Sequence, residues 1–259
     1  MAYEFIKYEK KDRIARITIN RPEVMNALHP PANAELSAAW DDFAEDADCW
    51  VAIVTGAGEK AFSAGNDLKY SAQHGMGGGF GKGGFGGITA RFDLFKPVIA
   101  AVNGLALGGG FEIALASDII VAADTARFGL PEPRVGLAAL AGGMQRLPRH
   151  LPLKVAMGMM LTGKPISSEE ALRLGIINEV VPAKDVTATA DRWAAEILEC
   201  SPTSVRATKQ VAMLSQGAPL EEAMSMSRYP LVSNLFGSED MMEGVMAFAQ
   251  KRKPQWKGK

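Results

Sequence analysis

The chain has one early stretch where hydrophobic and polar positions alternate, and three later ones where the hydrophobic run is unbroken. IARITI (residues 14–19) alternates and is rich in β-branched residues, which predicts a strand with one buried face. WVAIVTG (50–56), PVIAAVNG (97–104) and DIIVAA (118–123) are continuous apolar runs, the pattern of strands buried on both faces. ANAELSAAWDDFAED (32–46) has helical spacing, and FEIALAS (111–117) predicts a short helix opened by three glycines. Buried strands alternating with helices predict an α/β fold with layered sheets. From about residue 142 the strand signals thin out. KVAMGMMLTG, SSEEALRLG, TATADRWAAEILEC, SVRATKQVAMLSQ, PLEEAMSMSR and SEDMMEGVMAFAQKR all carry helical patterns, and SSEE (167–170) fits a capping box. The last sixty residues therefore predict a helical appendage. No internal repeat of fixed period is visible.

At 259 residues the chain has the length of one large domain, or of a domain with an appendage. Apolar residues make up 47% and charged residues 22%, with a net charge of −1, so the basic excess of a nucleic-acid surface is missing. The first twenty residues hold no apolar core of signal-peptide length, and no window approaches a membrane span. Cys49 and Cys200 lie far apart without metal spacing. They read as reduced thiols of a cytoplasmic protein with no metal site.

Residues 75–87, GMGGGFGKGGFGG, contain nine glycines and the spacing G-x-G-x-x-G at Gly79, Gly81 and Gly84. A dinucleotide fingerprint needs a strand directly before those glycines and a helix directly after them. The preceding DLKYSAQH is polar or helical, and the P-loop pattern fails at Met76 and Gly83. The match follows from glycine density alone. The stretch reads as a mobile surface loop, or as a flexible cover beside a pocket with Phe80 and Phe85 as its apolar contacts.

Two other glycine sites carry more chemistry: AFSAGNDL (61–68) and NGLALGGGFEIALASD (103–118). In the second, glycines sit where a strand ends and a helix begins. The unpaired N–H groups of a helix N-terminus can hold a developing oxyanion, and glycine lets a substrate come close to the backbone. Tight helix–strand packing accounts equally for a lone GGG. Glu112 lies one helical turn inside that helix, where the helix dipole favours an ionised carboxylate and hence a base. Glu132, between Pro131 and Pro133 in FGLPEPRVG, sits in a stiff non-helical turn. A glutamate in such a turn commonly faces solvent. Paired with Glu112 instead, it makes two carboxylates that could divide acid and base roles.

FSAGNDL, NGLALGGGFEIALASD, FGLPEPRVG…AGGMQRLP, LTGKPISSEEALRLGIINEVVP and SEDMMEGVMAFAQKR together, in this order and over nearly the whole chain, resemble the enoyl-CoA hydratase/isomerase (crotonase) family. The tail SEDMMEG…AFAQKRKPQWKG is most similar to carnitinyl-CoA dehydratases. The resemblance implies a spiral of repeated ββα units over residues 1–200 with the acyl-CoA site. It implies a C-terminal helical oligomerisation region over 201–259, and assembly as a homotrimer or a dimer of trimers. It implies an acyl-CoA thioester as substrate, with coenzyme A part of the substrate and no separate cofactor. By motif, the backbone N–H groups of Asn66 and Gly109 hold the thioester oxygen, and Glu112 and Glu132 match the two glutamates of the hydratases. Ala64, Asn66, Asp67 and Leu68 match the stretch along adenine and pantetheine, and Lys251 in the basic tail could approach the CoA phosphates. The implied reaction is reversible syn-addition of water to a 2-enoyl-CoA, as in fatty-acid β-oxidation. Alternatives are a carnitinyl-CoA-type dehydratase, a double-bond isomerase, a hydrolase or lyase on the same scaffold, and a non-catalytic acyl-CoA binder.

The chain departs from the hydratase pattern at three places. Glu23 in NRPEVMNAL stands where hydratases carry a lysine near the CoA phosphates. Ala139 and Leu140 replace a Pro-Gly pair before the AGG turn, near the expected acyl pocket. The glycine-rich loop falls in the segment that varies most in the family and often borders the acyl chain, so it reads as a mobile pocket margin.

Overall fold

The computed structural model describes residues 3–75 and 80–259. Its strands are β1 (Ile6–Lys11), β2 (Ile14–Ile19), β3 (Val51–Gly56), β4 (Ala61–Ser63), β5 (Val98–Val102), β6 (Leu105–Leu107), β7 (Ile119–Ala123), β8 (Arg127–Gly129), β9 (Ile166–Ser167) and β10 (Glu179–Val181). They form a six-stranded sheet, ordered β1-β2-β3-β5-β7-β10, and a four-stranded sheet, ordered β4-β6-β8-β9. The large sheet is parallel from β2 to β10 and antiparallel only at the β1–β2 hairpin. The hairpin turns on Asp12 and Arg13, both left-handed at φ 50° and 67°, the geometry of a two-residue type I′ turn.

Each turn of the chain places one strand in the large sheet and the next in the small one: β3 then β4, β5 then β6, β7 then β8. This is the expected ββα spiral. It leaves no fixed period in the sequence because its turns differ in length, the large-sheet strands opening at Val51, Val98 and Ile119.

The helices are α1 (Pro30–Glu45), α2 (Leu68–His74), α3 (Gly109–Ala116), α4 (Gly143–His150), α5 (Leu153–Thr162), α6 (Ser168–Arg173), α7 (Val186–Leu198), α8 (Pro202–Leu214), α9 (Leu220–Ala223), α10 (Pro230–Leu235) and α11 (Glu239–Ala249). Helix α7 packs on β3, β5 and β7, and both faces of those strands are covered, hence their unbroken apolar runs. Helix α1 buries Ala32, Asn33, Leu36, Ala39, Trp40 and Phe43 along one stripe. Among the described residues no helix is long and apolar enough to cross a membrane.

The stripe of α1 also fixes the second half of the glycine-rich loop. Asn33 accepts from the Gly86 N–H at 2.7 Å, and the Trp40 indole donates to the Gly86 carbonyl at 3.0 Å. A side chain on Gly87 would collide with the Ser37 backbone at 2.6 Å, and one on Gly86 with Ile113 at 2.5 Å. Phe85, Gly86 and Gly87 are buried. These glycines serve close packing, so residues 85–87 are part of the core scaffold and not the mobile margin that their composition suggests. Gly79, the first glycine of the G-x-G-x-x-G spacing, lies outside the described residues.

Candidate active site

The site is built where three backbone segments converge on the N-terminus of α3. Helix α3 follows β6 through Gly108, whose φ of 54° only glycine adopts readily. Gly109 opens the helix, so its N–H has no intrahelical acceptor. A side chain on Gly110 would fall on the Ser63 carbonyl at the end of β4, and one on Gly109 would fall inside the Phe85 ring. One on Gly65 would meet the Gly109 nitrogen and the Leu107 carbonyl, each at 2.8 Å. The glycines are therefore the condition for backbone-to-backbone approach of the 64–68 loop to α3.

Asn66 forms a parallel bridge with Leu28. The Leu28 N–H donates to the Gly65 carbonyl at 2.7 Å, and the Asp67 N–H donates to the Leu28 carbonyl at 3.0 Å. That pairing uses the groups on either side of Asn66 and turns its own N–H to the opposite edge. Gly65, the residue before it, packs on Gly109 there. The Asn66 side chain is engaged elsewhere, donating to the Ser71 hydroxyl at 3.2 Å. Asn26, fully buried, supports this edge by donating to the Ala57 and Ala61 carbonyls at 3.0 and 2.7 Å, and its own carbonyl accepts from the Ser63 hydroxyl at 2.8 Å.

Glu112 is 3% exposed, and its Oε1 accepts from the Gly143 N–H, the first of α4, at 2.8 Å. Burial pushes its carboxyl up to about 7, with the nearby Glu132 carboxylate adding to the rise. The Gly143 and Ala141 N–H groups and the Arg146 guanidinium oppose that rise. The helix dipole favours an ionised Glu112, but desolvation outweighs it and the shift runs upward. Glu132 lies in a tight turn over Glu132–Val135, its Oε1 3.1 Å from where a Gly108 side chain would stand. Burial raises its pKa too, and its Oε2 is buried without a protein partner. A glutamate between two prolines is thus turned inward, over the glycines that open α3.

Of the other residues expected at the site, Ala64 donates to the Met25 carbonyl at 3.0 Å, and Leu68 is 41% exposed at the start of α2. Asp67 is occupied by the fold. It caps α2 by accepting from the Tyr70 N–H at 3.1 Å and pairs with Arg21 Nη1 at 3.0 Å. Burial would raise its pKa, but these two partners outweigh burial and hold it below the usual carboxylate range. Lys251 is exposed beyond α11, and no hydrogen bond or ion pair among the described residues joins it to the 64–68 loop. Glu23 is exposed in the turn Pro22–Val24.

Sequence reasoning did not single out Asn26, Gly143, Arg146 or Phe85's contact with Gly109. These contacts span 24 to 57 residues of the chain, from Phe85–Gly109 to the Arg146–Thr89 bond, so no local spacing marks them. Among the described residues no cluster of three or more His, Cys, Asp or Glu could hold a metal ion.

The family description that matches the chain is enoyl-CoA hydratase/isomerase, over residues 9–259. A carnitinyl-CoA dehydratase of Salmonella arizonae is 42% identical over 262 residues, covering 98% of this chain and 99% of the relative. The crystal structure of the enoyl-CoA hydratase EchA1 from Mycobacterium marinum superposes with a TM-score of 0.92 at 40% identity, covering 98% of this chain and 99% of that one. A probable enoyl-CoA hydratase/isomerase from Mycobacterium abscessus gives 0.91 at 41% identity, with both chains covered in full.

Proposed function

The chain belongs to the enoyl-CoA hydratase/isomerase family, and from that premise we propose that it is a hydro-lyase that adds water reversibly to the double bond of a 2-enoyl-CoA thioester. The observation that carries this reading is the pair of carboxyls beside the α3 N-terminus, Glu112 buried and Glu132 half-buried, both with raised pKa values, the second with a buried oxygen that has no protein partner. A single carboxylate suffices to shuttle a proton in double-bond migration. Adding water calls for one group to take a proton from the water and another to give one to carbon.

In the proposed mechanism the thioester carbonyl accepts from the Asn66 and Gly109 N–H groups. Water attacks the β-carbon while Glu112 takes its proton, and negative charge moves onto the thioester oxygen. A fixed backbone donor of this kind is worth about 3 kcal/mol in the transition state. Neutral Glu132 then gives its proton to the α-carbon. Glu112 has gained one proton and Glu132 has lost one, so the cycle closes when a proton returns between them through solvent. Dehydration runs the same steps backwards. Coenzyme A is part of the substrate, lying along Ala64–Leu68 with Lys251 near its phosphates, and the chemistry uses only protein groups.

The pH dependence follows from the two carboxyls. Glu112 must be ionised, so turnover rises as pH passes through about 7. Glu132 acts in its protonated form, which burial favours by raising its pKa, so turnover falls as that carboxyl ionises. The test is loss of the enoyl-thioester ultraviolet band with crotonyl-CoA, a longer enoyl-CoA, an aromatic enoyl-CoA and crotonobetainyl-CoA. Hydration of at least one is expected, with turnover that depends on the ionisation of both carboxyls, together with a loss of about a hundred-fold or more in folded Glu132→Gln. Normal turnover in that variant excludes the acid role. A second reading, a carnitinyl-CoA-type dehydratase with the same catalysis, is favoured by the 42% identity to such enzymes. Preference for the crotonobetainyl substrate would select it.

We further propose a homotrimer or a dimer of trimers. The apolar side chains left open on the C-terminal helices support it, Phe248 being 88% and Phe236 68% exposed. Sedimentation equilibrium is expected to give three or six times the chain mass, and a monomer would overturn the proposal.

A further inference from the structure

Arg146 is not among the groups the mechanism above uses, yet it is more than half buried and touches both halves of the site. It stands one turn into α4, and its guanidinium fills the space where Gly142 has no side chain, at a φ of 102°. The Gly142 carbonyl in turn accepts the Arg146 N–H at 2.7 Å. The next residue, Gly143, donates the N–H that holds Glu112. On its other side Arg146 Nη2 donates to the Thr89 carbonyl at 2.9 Å. Thr89 closes the short segment in which its own N–H bonds to the Phe85 carbonyl at 3.4 Å, and the Phe85 ring backs Gly109. The Phe92 ring lies 5.8 Å from the guanidinium carbon.

We propose that Arg146 is a positioning residue of the reaction, whose guanidinium clamps the Gly142–Gly143 turn that anchors Glu112 to the Phe85–Thr89 segment that backs the Gly109 N–H. One side chain thereby fixes the distance between the proton-accepting carboxylate and the oxyanion donor. Its planar guanidinium donates to the Thr89 carbonyl from one edge while it fills the space beside Gly142 with the other, which an ammonium does not reproduce. It also supplies the positive charge that faces Glu112. The elements packed on α3 are β4, β5, β6, the Phe85–Gly87 turn and α4. The first four bring no titratable side chain. On α4, Arg149 and His150 are exposed and bonded to the Gln145 and Arg146 carbonyls. That leaves Arg146, which opposes the rise of the Glu112 pKa, and Glu132, which adds to it.

The inference rests on the hydratase reading for its kinetics but not for its direct measurement. Arg146→Gln is expected to lower kcat by ten- to a hundred-fold with KM within about three-fold, since a loosened catalytic geometry costs rate more than ground-state binding. The ascending limb of its pH profile should move to higher pH. Arg146→Lys keeps the charge and loses the fork, so the limb should stay near its wild-type position while kcat remains lowered. Infrared titration of the protonated Glu112 carboxyl, identified by its loss in Glu112→Gln, gives the same shift without turnover. An unshifted carboxyl in folded Arg146→Gln, or a kcat equal to wild type, overturns the proposal. If Arg146→Gln does not fold, Arg146→Lys carries the test through its kcat alone, and wild-type kcat there overturns the clamp. If the wild-type protein hydrates no enoyl-CoA while Arg146→Gln still shifts the Glu112 carboxyl, the hydratase reading falls and the placement of the Arg146 charge against Glu112 stands.

Discussion

Glu112→Gln is expected to cost about a thousand-fold in hydration and at the same time to make the protein more stable above neutral pH. The first effect is loss of the general base, which contributes typically 10²–10⁴-fold. The second follows from where the carboxyl sits. A group at about 7 when folded, against 4.5 as its ordinary value, binds its proton more tightly in the native state than in the unfolded one. The native state is therefore penalised as pH rises through that window, and above it the penalty reaches about 3 kcal/mol. Glutamine keeps an oxygen for the Gly143 N–H and carries no charge to bury. The variant should match wild type below about pH 4 and exceed it increasingly up to about pH 8. For a chain of this size that corresponds to a rise of roughly 5–10 °C in Tm at the alkaline end. Thermal unfolding at the two pH extremes checks the sign. A variant no more stable at the alkaline end would mean that the buried charge is compensated, and retained turnover would mean that Glu112 is not the base.

Such a trade of stability for function leaves only a faint mark in a sequence. The long apolar runs in β3, β5 and β7 and the spacing of α1 were legible because each encodes burial locally, within one element. The short strands were not: β4, β6 and β8 have three residues each, too few for an alternation to show. Strand β1, IKYEKK, buries only Ile6 of its six residues, so its polar face hides it. Its hairpin turn is equally silent, because Arg13 takes a left-handed conformation usually marked by glycine. There it stacks its guanidinium 3.6 Å from the Trp50 ring centre, and its carbonyl accepts from the Trp50 N–H at 2.8 Å.

At the site, the positions of Glu112 and Gly109 were legible through the GGG-x-E spacing at a strand–helix junction, whereas the ionisation of Glu112 was not. The dipole argument needs only the helix, but the burial that overrides it depends on segments from later in the chain, among them Gly143, beside which Leu130, Ala139 and the Glu112 carboxylate converge. The glycine-rich loop shows the converse. Its composition signals flexibility, and what residues 85–87 supply is room for α1 and α3 to close on them. Glycine in a sequence does not distinguish freedom from crowding, and only the neighbours decide.

The two glycines that open α3 should therefore fail differently when given a side chain. At Gly110 the obstacle is the Ser63 carbonyl. That residue is fixed by its hydroxyl, which donates to Asn26 and accepts the Gly65 N–H at 3.1 Å. Backbone cannot yield without moving β4 or the helix, so Gly110→Ala is expected to destabilise by about 3 kcal/mol or more, at the upper end of overpacking costs. The same displacement carries the Gly109 N–H and Glu112 with it, and a shift near 1 Å costs about a hundred-fold in rate. At Gly109 the obstacle is the Phe85 ring, a side chain that can be removed. Gly109→Ala alone should also be impaired, but Gly109→Ala with Phe85→Ala should regain part of the stability lost by the single variant, whereas Gly110→Ala with Phe85→Ala should regain none. Urea unfolding of these four variants and of Phe85→Ala alone, read as two double-mutant cycles, separates the cases. Equal rescue of both would mean that α3 shifts as a loose unit against the ring. No rescue of either would mean that the Gly109 N–H is placed by the 64–68 loop alone, leaving Phe85 without a part in aiming it.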